Sequence, residues 1–150
     1  MTRLGLVMLL VLVVSGLLVG VEVRSAPLRV GLPRSSEHAV AWYREHRGEL
    51  VAVAQLARSG ALGDPAGWEY YGPRLPKRYD HLSVNGRIAA ILGPANEPPV
   101  LFLATVMGIP DDAIGVGHFV SPPTWGAQYD GFGMVITPTQ SLGDGWWWME

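Results

Sequence analysis

The chain has 150 residues, no cysteine and a formal net charge of −2 at pH 7. Without cysteine the protein has no disulfide bond, no thiolate nucleophile and no cysteine-based metal site. The small net charge also argues against nucleic-acid binding, because proteins of that class carry a marked excess of positive charge on one surface.

The first predicted element is an apolar stretch of 18 residues at positions 4–21, "LGLVMLLVLVVSGLLVGV". Its length is near the lower limit for spanning a hydrocarbon core of about 30 Å, and it also suits a long secretory signal. Residues 1–24 therefore predict either an uncleaved transmembrane anchor or a signal segment that is cleaved near Ala26. Arg3 precedes the stretch and favours a cytoplasmic amino terminus, so both alternatives place the following residues outside the cytoplasm.

A linker at residues 25–36 precedes a single predicted domain at residues 37–150. The domain begins with a helical pattern at residues 37–58, in which Ser36 is the expected N-cap and Gly60 follows the carboxyl end. At 100° per residue, an apolar stripe covers about one third of the helix circumference and needs a sheet to pack against. Its members are Val40, Tyr43, Leu50, Val51, Ala54 and Ala57.

Two polar residues, His46 and Arg47, interrupt the apolar stripe of the predicted helix. We expect both to make specific polar contacts where the helix meets the sheet. For Arg47 two alternatives are open: it joins the basic residues of the following loop, or it pairs with Asp80.

After a loop at residues 60–80 that is rich in glycine and proline, the periodicity becomes that of strands. Strands are predicted at residues 87–92, 100–107, 114–120, 132–137 and 146–149. Short links with proline and glycine favour an antiparallel meander, and "VNGR" at 84–87 predicts a hairpin through a type I′ turn. The predicted fold class is α+β, with one long amphipathic helix packed on an antiparallel sheet of about five strands.

The segment "VLFLATV" at residues 100–106 is apolar on both alternating faces, which predicts a central strand covered on both sides. The helix covers one face. Three alternatives are open for the other: the proline-rich loops, the aromatic carboxyl terminus or a second copy of the chain. In the terminal "GDGWWWME", strand alternation predicts that Trp146 and Trp148 close the core while Trp147 faces the opposite side.

The segment "GIPDDAIGVGH" contains the candidate catalytic residues Asp111, Asp112 and His118. A carboxylate near an imidazole suits acid–base chemistry, whereas the alternative is a capped turn followed by a partly buried, hydrogen-bonded histidine. The chain lacks G-x-S-x-G, S-x-x-K, H-E-x-x-H and H-x-H. We therefore predict no cofactor and no metal. In "EHRGE", Glu45 and His46 point about 100° apart on a helix and do not converge on one ion.

Candidate binding residues fall in two loops and at the carboxyl terminus. Arg74, Lys77 and Arg78 form a basic cluster that suits an anion or anionic lipid headgroups, with solvated surface charge as the alternative. Trp125 and Tyr129 lie beside planar polar groups, an arrangement that suits a carbohydrate. Arg47 and Trp147 complete the set of candidate binding residues.

These observations predict an extracytoplasmic, non-catalytic binding or interaction module, either membrane-tethered by a single span or secreted. Its expected partner is a protein or an anionic or carbohydrate ligand of the cell envelope. One alternative is a small envelope hydrolase that uses His118 with Asp111 or Asp112. Another is a structural homodimer. Basic residues outnumber acidic ones nine to six at 27–87, whereas 88–150 has six acidic residues and neither lysine nor arginine. This segregation predicts complementary surfaces within one domain, with an oriented binding surface as the alternative.

Overall fold

A computed structural model of the protein describes residues 31–108 and 113–150. Within these ranges the fold is α+β, with one long α-helix and an antiparallel sheet of five strands. The predicted anchor at 4–21 lies outside the described residues, as does the first half of the predicted linker, 25–30. Among the helices of the described part, none is long and apolar enough to cross a membrane.

Helix α1 spans Ser36–Arg58 and begins one residue before the predicted start. The N-cap is Ser35 instead of Ser36, because Ser35 has an extended backbone and its hydroxyl accepts a hydrogen bond from the amide of His38 at 3.4 Å. Glu37 in the first turn and Arg58 in the last turn match the helix dipole. The predicted helix is therefore confirmed with a shift of one residue at its cap.

The described residues form seven strands, and five of them make up the main sheet. In chain order the seven strands are β1 Ala89–Ile91, β2 Val100–Met107, β3 Ala113–His118, β4 Tyr129–Gly131, β5 Met134–Ile136, β6 Pro138–Gly143 and β7 Trp146–Met149. The order across the sheet is β1-β2-β3-β7-β6, and β4 pairs with β5 in a separate two-stranded ribbon. All pairs are antiparallel.

The sheet differs from the predicted meander at two places. The segment predicted as its fourth strand, 132–137, contains β5, which belongs to the ribbon. The fifth strand of the sheet is β6, from a segment that the sequence analysis treated as a link. Strand β6 lies at the edge of the sheet, and its exposed side chains are polar. Its sequence therefore lacks the apolar–polar alternation that would have indicated a strand.

The predicted hairpin at "VNGR" does not form. Lys77–Leu82 is a 3₁₀ helix, and the backbone of Arg87 instead makes an isolated antiparallel bridge with Arg74. The hydroxyl of Ser83 accepts a hydrogen bond from the amide of Arg87 and donates one to its carbonyl. This side chain closes the loop in place of a strand pairing.

The sheet has two covered faces, which we call the helix face and the ribbon face. On the helix face, α1 packs over alternating strand residues, including Leu101, Leu103, Val116, Trp146 and Trp148. On the ribbon face, the β4–β5 ribbon and neighbouring loops cover Val100, Phe102, Ala104 and Met149. The two-sided burial predicted for β2 is confirmed, and within the described residues the ribbon supplies the second cover.

The terminal tryptophans complete the sheet. Trp146 and Trp148 are fully buried on the helix face, whereas Trp147 is only partly buried and packs on the ribbon face beside Phe119. Strand β7 lies between β3 and β6 and is therefore an inner strand of the sheet. The predicted alternation of the three rings is confirmed.

Candidate functional site

An open groove lies between α1 and the end of β3. Its lining residues are Val51, Ala54, Gln55, Arg58, His118 and Asp144, and its volume is about 270 Å³. The first three present mostly aliphatic surface from successive turns of the helix. The other three place a guanidinium, an imidazole and a carboxylate at its polar side. The groove thus combines an apolar wall with a charged one.

Arg58 is held in the groove by carbonyl oxygens. Its Nη1 donates to the carbonyl of Pro99 at 3.0 Å, and its Nη2 donates to the carbonyl of His118 at 2.9 Å. Burial lowers the pKa of the guanidinium. No carboxylate of residues 31–108 or 113–150 forms an ion pair with it. Arg58 is therefore a half-buried cation whose acceptors among the described residues are all neutral.

His118 is neutral over the physiological pH range. Burial, followed by repulsion from Arg58, lowers its pKa to about 4. Its Nδ1 lies 3.5 Å from Nη2 of Arg58, the ring hydrogen-bonds to the backbone of Asp144, and Trp146 contacts the ring edge-on. The imidazole is therefore partly buried and held on both sides by protein groups.

Asp144 joins the carboxyl-terminal turn to α1. Arg47 donates to both of its oxygens, from Nε at 2.7 Å and from Nη2 at 3.1 Å, and the hydroxyl of Tyr43 donates to the same carboxylate. These hydrogen bonds, with that of Arg47 the larger, lower the pKa of Asp144 to about 2. Burial and the carboxylate raise the pKa of Tyr43 to about 12.

Both alternatives for Arg47 were wrong. Arg47 pairs with Asp144, and Asp80 pairs with Lys77 at 2.7 Å. The Arg47–Asp144 pair connects the basic and acidic halves of the sequence.

A second polar cluster contains His46, Glu49 and His81. Nδ1 of His46 lies 3.2 Å from one oxygen of Glu49, and Nε2 of His81 lies 2.8 Å from the other. One donor atom from each residue lies within 4.8 Å of the other two. Two of its members, His46 and Glu49, belong to the segment "EHRGE", whereas Glu45 is not part of the group. The third member comes from the 3₁₀ helix, which the sequence analysis did not consider as a partner.

The basic residues of the predicted binding loop are exposed. Lys77 pairs with Asp80, and the guanidinium of Arg78 lies 4.7 Å from the ring centre of Tyr79. Arg74 contributes its backbone to the bridge with Arg87. Two of the three cations thus have partners within their own segment.

The aromatic candidates Trp125 and Tyr129 differ in their exposure to solvent. Trp125 is 97% exposed, whereas Tyr129 is 2% exposed and its ring packs edge-on against Phe119 in the core of the ribbon face. The hydroxyl of Tyr129 faces Glu97 at 3.5 Å. Trp125 and Tyr129 therefore do not present two rings to solvent as a carbohydrate platform would require. Trp147 is partly buried against Phe119.

The candidate catalytic carboxylates, Asp111 and Asp112, lie outside the described residues. His118 lies on the helix face in register with Trp146. The position of His118 is therefore described, but its distance from either carboxylate is not.

Sequence reasoning missed Arg58 and Asp144 as site residues. Arg58 was visible as the last basic residue of the helix, and Asp144 as a turn residue before the tryptophans. Nothing local indicated that the turn reaches α1, because Arg47 and Asp144 are 97 positions apart.

Comparisons of the chain with protein-family models, with curated proteins and with solved structures found no match.

Proposed function

We propose that the protein is a non-catalytic binding module outside the cytoplasm, and that it holds a small carboxylate with a short aliphatic chain in the groove beside Arg58. The proposal rests on the half-buried guanidinium, which has no acidic partner among the residues described. Taking an unpaired charge out of water is costly, and an anionic ligand offsets that cost.

The hydrogen-bond inventory around Arg58 favours an acceptor. A guanidinium has five N–H donors, and Arg58 uses its Nη groups on two carbonyls and, at 3.5 Å, on His118. Two buried donors beside His118 have no partner in the described structure: Nε of Arg58 and Nε1 of Trp146. Of these two residues only Arg58 lines the groove, and its guanidinium keeps N–H donors beyond the three contacts described, which suits a carboxylate.

Asp144 and His118, which share the groove with Arg58, do not neutralise its charge. The carboxylate of Asp144 is engaged by Arg47 and Tyr43, so it does not neutralise Arg58. The neutral imidazole of His118 adds no charge of its own. Val51 and Ala54 supply the apolar wall for the aliphatic part of the ligand.

The apolar stretch at 4–21 supports the location of the module. We propose that it tethers the chain by a single span, with release by cleavage as the alternative, and that the described residues lie in the cell envelope or outside the cell. Retention of the native protein in membranes after alkaline carbonate washing tests the tether. A soluble form that starts near Ala26 would establish cleavage instead.

The hydrolase alternative has less support. His118 is held between Arg58 and the backbone of Asp144, so its ring is not free to take a proton from a substrate. The homodimer alternative also has less support. A second copy of the chain was one way to cover the second face of β2, and the β4–β5 ribbon already covers that face.

Calorimetric titration of the full chain in a non-ionic detergent tests the groove, with butyrate as the probe and inorganic phosphate in parallel. We expect saturable binding of butyrate that weakens about 10-fold or more in Arg58→Gln, since charge-assisted hydrogen bonds are lost. Arg58→Lys keeps the charge and should retain part of the affinity. The matched control is Arg44→Gln, an exposed arginine on the same helix. No butyrate binding, or equal binding by the Arg58→Gln and wild-type chains, contradicts the proposal.

A further inference from the structure

We propose that His46, Glu49 and His81 form a binding site for a divalent first-row transition metal ion, with zinc the best match. The three donor atoms come from two separate elements, α1 and the 3₁₀ helix Lys77–Leu82, and lie within 4.8 Å of one another. This site does not depend on the groove beside Arg58.

Buried leucines close to the two histidines fix the positions of their backbones. On α1, His46 and Glu49 are three positions apart and therefore lie on the same side of the helix. Leu50, the next residue, is fully buried and fixes the rotation of the helix at this point. On the other element, Leu82 is also fully buried, so it anchors His81 beside α1.

His46 is itself nine-tenths buried, which limits its freedom to turn away. Only 8% of the residue is exposed, and its ring packs on Trp42 with the centroids 5.3 Å apart. The rings of His46 and His81 are 5.7 Å apart. A donor with few alternative rotamers loses little conformational entropy when it binds an ion.

The spacing of the donors suits a small ion. Zinc binds imidazole nitrogen at about 2.0–2.1 Å and carboxylate oxygen at about 2.0–2.2 Å. In a tetrahedral arrangement these bonds place neighbouring donors roughly 3.3 Å apart. The distances from the histidine nitrogens to Glu49 are 3.2 Å to one oxygen and 2.8 Å to the other, both close to this value, and one donor atom from each of the three residues lies within 4.8 Å of the other two. Side-chain rotation that brings these three donors closer together is needed to surround an ion.

The donor types select the class of metal. Two imidazoles and one carboxylate suit zinc and its neighbours, whereas calcium and magnesium prefer sites made of oxygen atoms. The side chains of His81 and Glu49 are 42% and 36% exposed, so one side of the site is open to solvent. Three protein donors with an open position leave room for water or an external ligand on the ion.

A purely structural role for the cluster is the competing explanation. In this explanation the hydrogen bond between His46 and Glu49 and the 2.8 Å contact between His81 and Glu49 tie α1 to the 3₁₀ helix. This explanation predicts folding contacts but no metal affinity.

Zinc titration of the full chain in detergent, after removal of metal with a chelator, distinguishes the two. We expect one zinc ion per chain, a rise in melting temperature with zinc, and loss of affinity by at least about 10-fold in His81→Ala, by comparison with the 10- to 100-fold effects of even outer-shell partners. His81 is half-exposed, so this variant should stay folded. Glu49→Gln should weaken binding while keeping the side-chain volume.

His38→Ala is the matched control, because His38 is exposed on α1 and does not belong to the cluster. Cobalt in place of zinc adds a spectroscopic readout, since its visible bands should appear with the wild-type chain and with His38→Ala but not with His81→Ala. Zinc binding that is equal in the wild-type chain and His81→Ala overturns the proposal. So does the absence of binding at millimolar zinc by a folded wild-type chain.

Discussion

The two faces of the sheet are equally well buried but differ in chemistry. The helix face is bordered by the Arg58 groove, the Arg47–Asp144 pair and the His46–Glu49–His81 cluster. The ribbon face is mainly a packing surface, in which the ring of Phe102 contacts Phe132 and that of Phe119 contacts Tyr129 and Trp147. The difference indicates that α1 both covers the core and carries the polar groups, whereas the ribbon mainly supplies cover.

The largest expected effect concerns the tryptophans of β7. Trp146→Ala and Trp148→Ala should each lower the free energy of unfolding by about 3–5 kcal/mol, because each ring is fully buried beneath α1. Trp147→Ala should cost less, since that ring is only partly buried. Trp125→Ala, which removes a ring that is 97% exposed, should stay within about 0.5 kcal/mol of the wild type. Chemical denaturation measures all four, and equal costs for the three β7 variants would contradict the assignment of faces.

Phe132 tests the ribbon face. Its residue is 2% exposed, its ring contacts Tyr70, Tyr71 and Phe102, and its φ of 60° lies in the left-handed region. Phe132→Ala loses the ring and keeps the backbone strain, whereas Phe132→Gly loses the ring and relieves the strain. We therefore expect the glycine variant to be more stable than the alanine variant by about 1 kcal/mol in denaturant unfolding. The opposite order would show that ring packing does not hold a strained backbone here.

His118 should make the stability of the helix face depend on pH. Its pKa falls from 6.5 to about 4 on folding, so between these values the unfolded chain binds more protons and the free energy of unfolding rises with pH. The melting temperature should therefore fall as the pH is lowered from 6.5 to 4. His118→Gln should reduce this slope, and His38→Gln should leave it unchanged. Identical slopes for the two variants would mean that His118 is not buried as described.

Arg47→Leu should produce the smallest effect. It leaves Asp144 without its bidentate partner, but the Arg47 side chain is 64% exposed and water screens the pair. We expect a small decrease in melting temperature that shrinks further with added salt. An unchanged or raised melting temperature at low salt would show that Arg47 makes no stabilising contact.

The features that the sequence predicted well depend on local patterns. The cap, the apolar stripe and the terminal glycine defined α1 to within one residue, and short apolar segments between links with proline and glycine located β2, β3 and β7. Alternation does not specify which strand pairs with which. Residues 132–137 therefore looked like a strand of the main sheet, and the polar edge strand β6 looked like a loop.

The polar sites depend on contacts between distant positions. Arg47 was expected either to join the basic residues of the loop or to pair with Asp80, yet its carboxylate partner comes from the turn before β7. His81 joins His46 and Glu49 only because a 3₁₀ helix brings it against α1. Spacing rules for metal motifs detect ligands that share one element, so they do not detect this arrangement.

Amide proton–nitrogen correlation spectra of the full chain in detergent, recorded with zinc and then with butyrate, test the central claim most directly. The claim is that the groups able to bind ligands border the helix face. We expect zinc to shift signals of α1 around His46 and of Lys77–Leu82, and butyrate to shift those around Arg58 and His118. In both titrations the signals of β4, β5 and Trp125 should stay in place. Shifts concentrated in the ribbon and at Trp125, with α1 unaffected, would contradict the account.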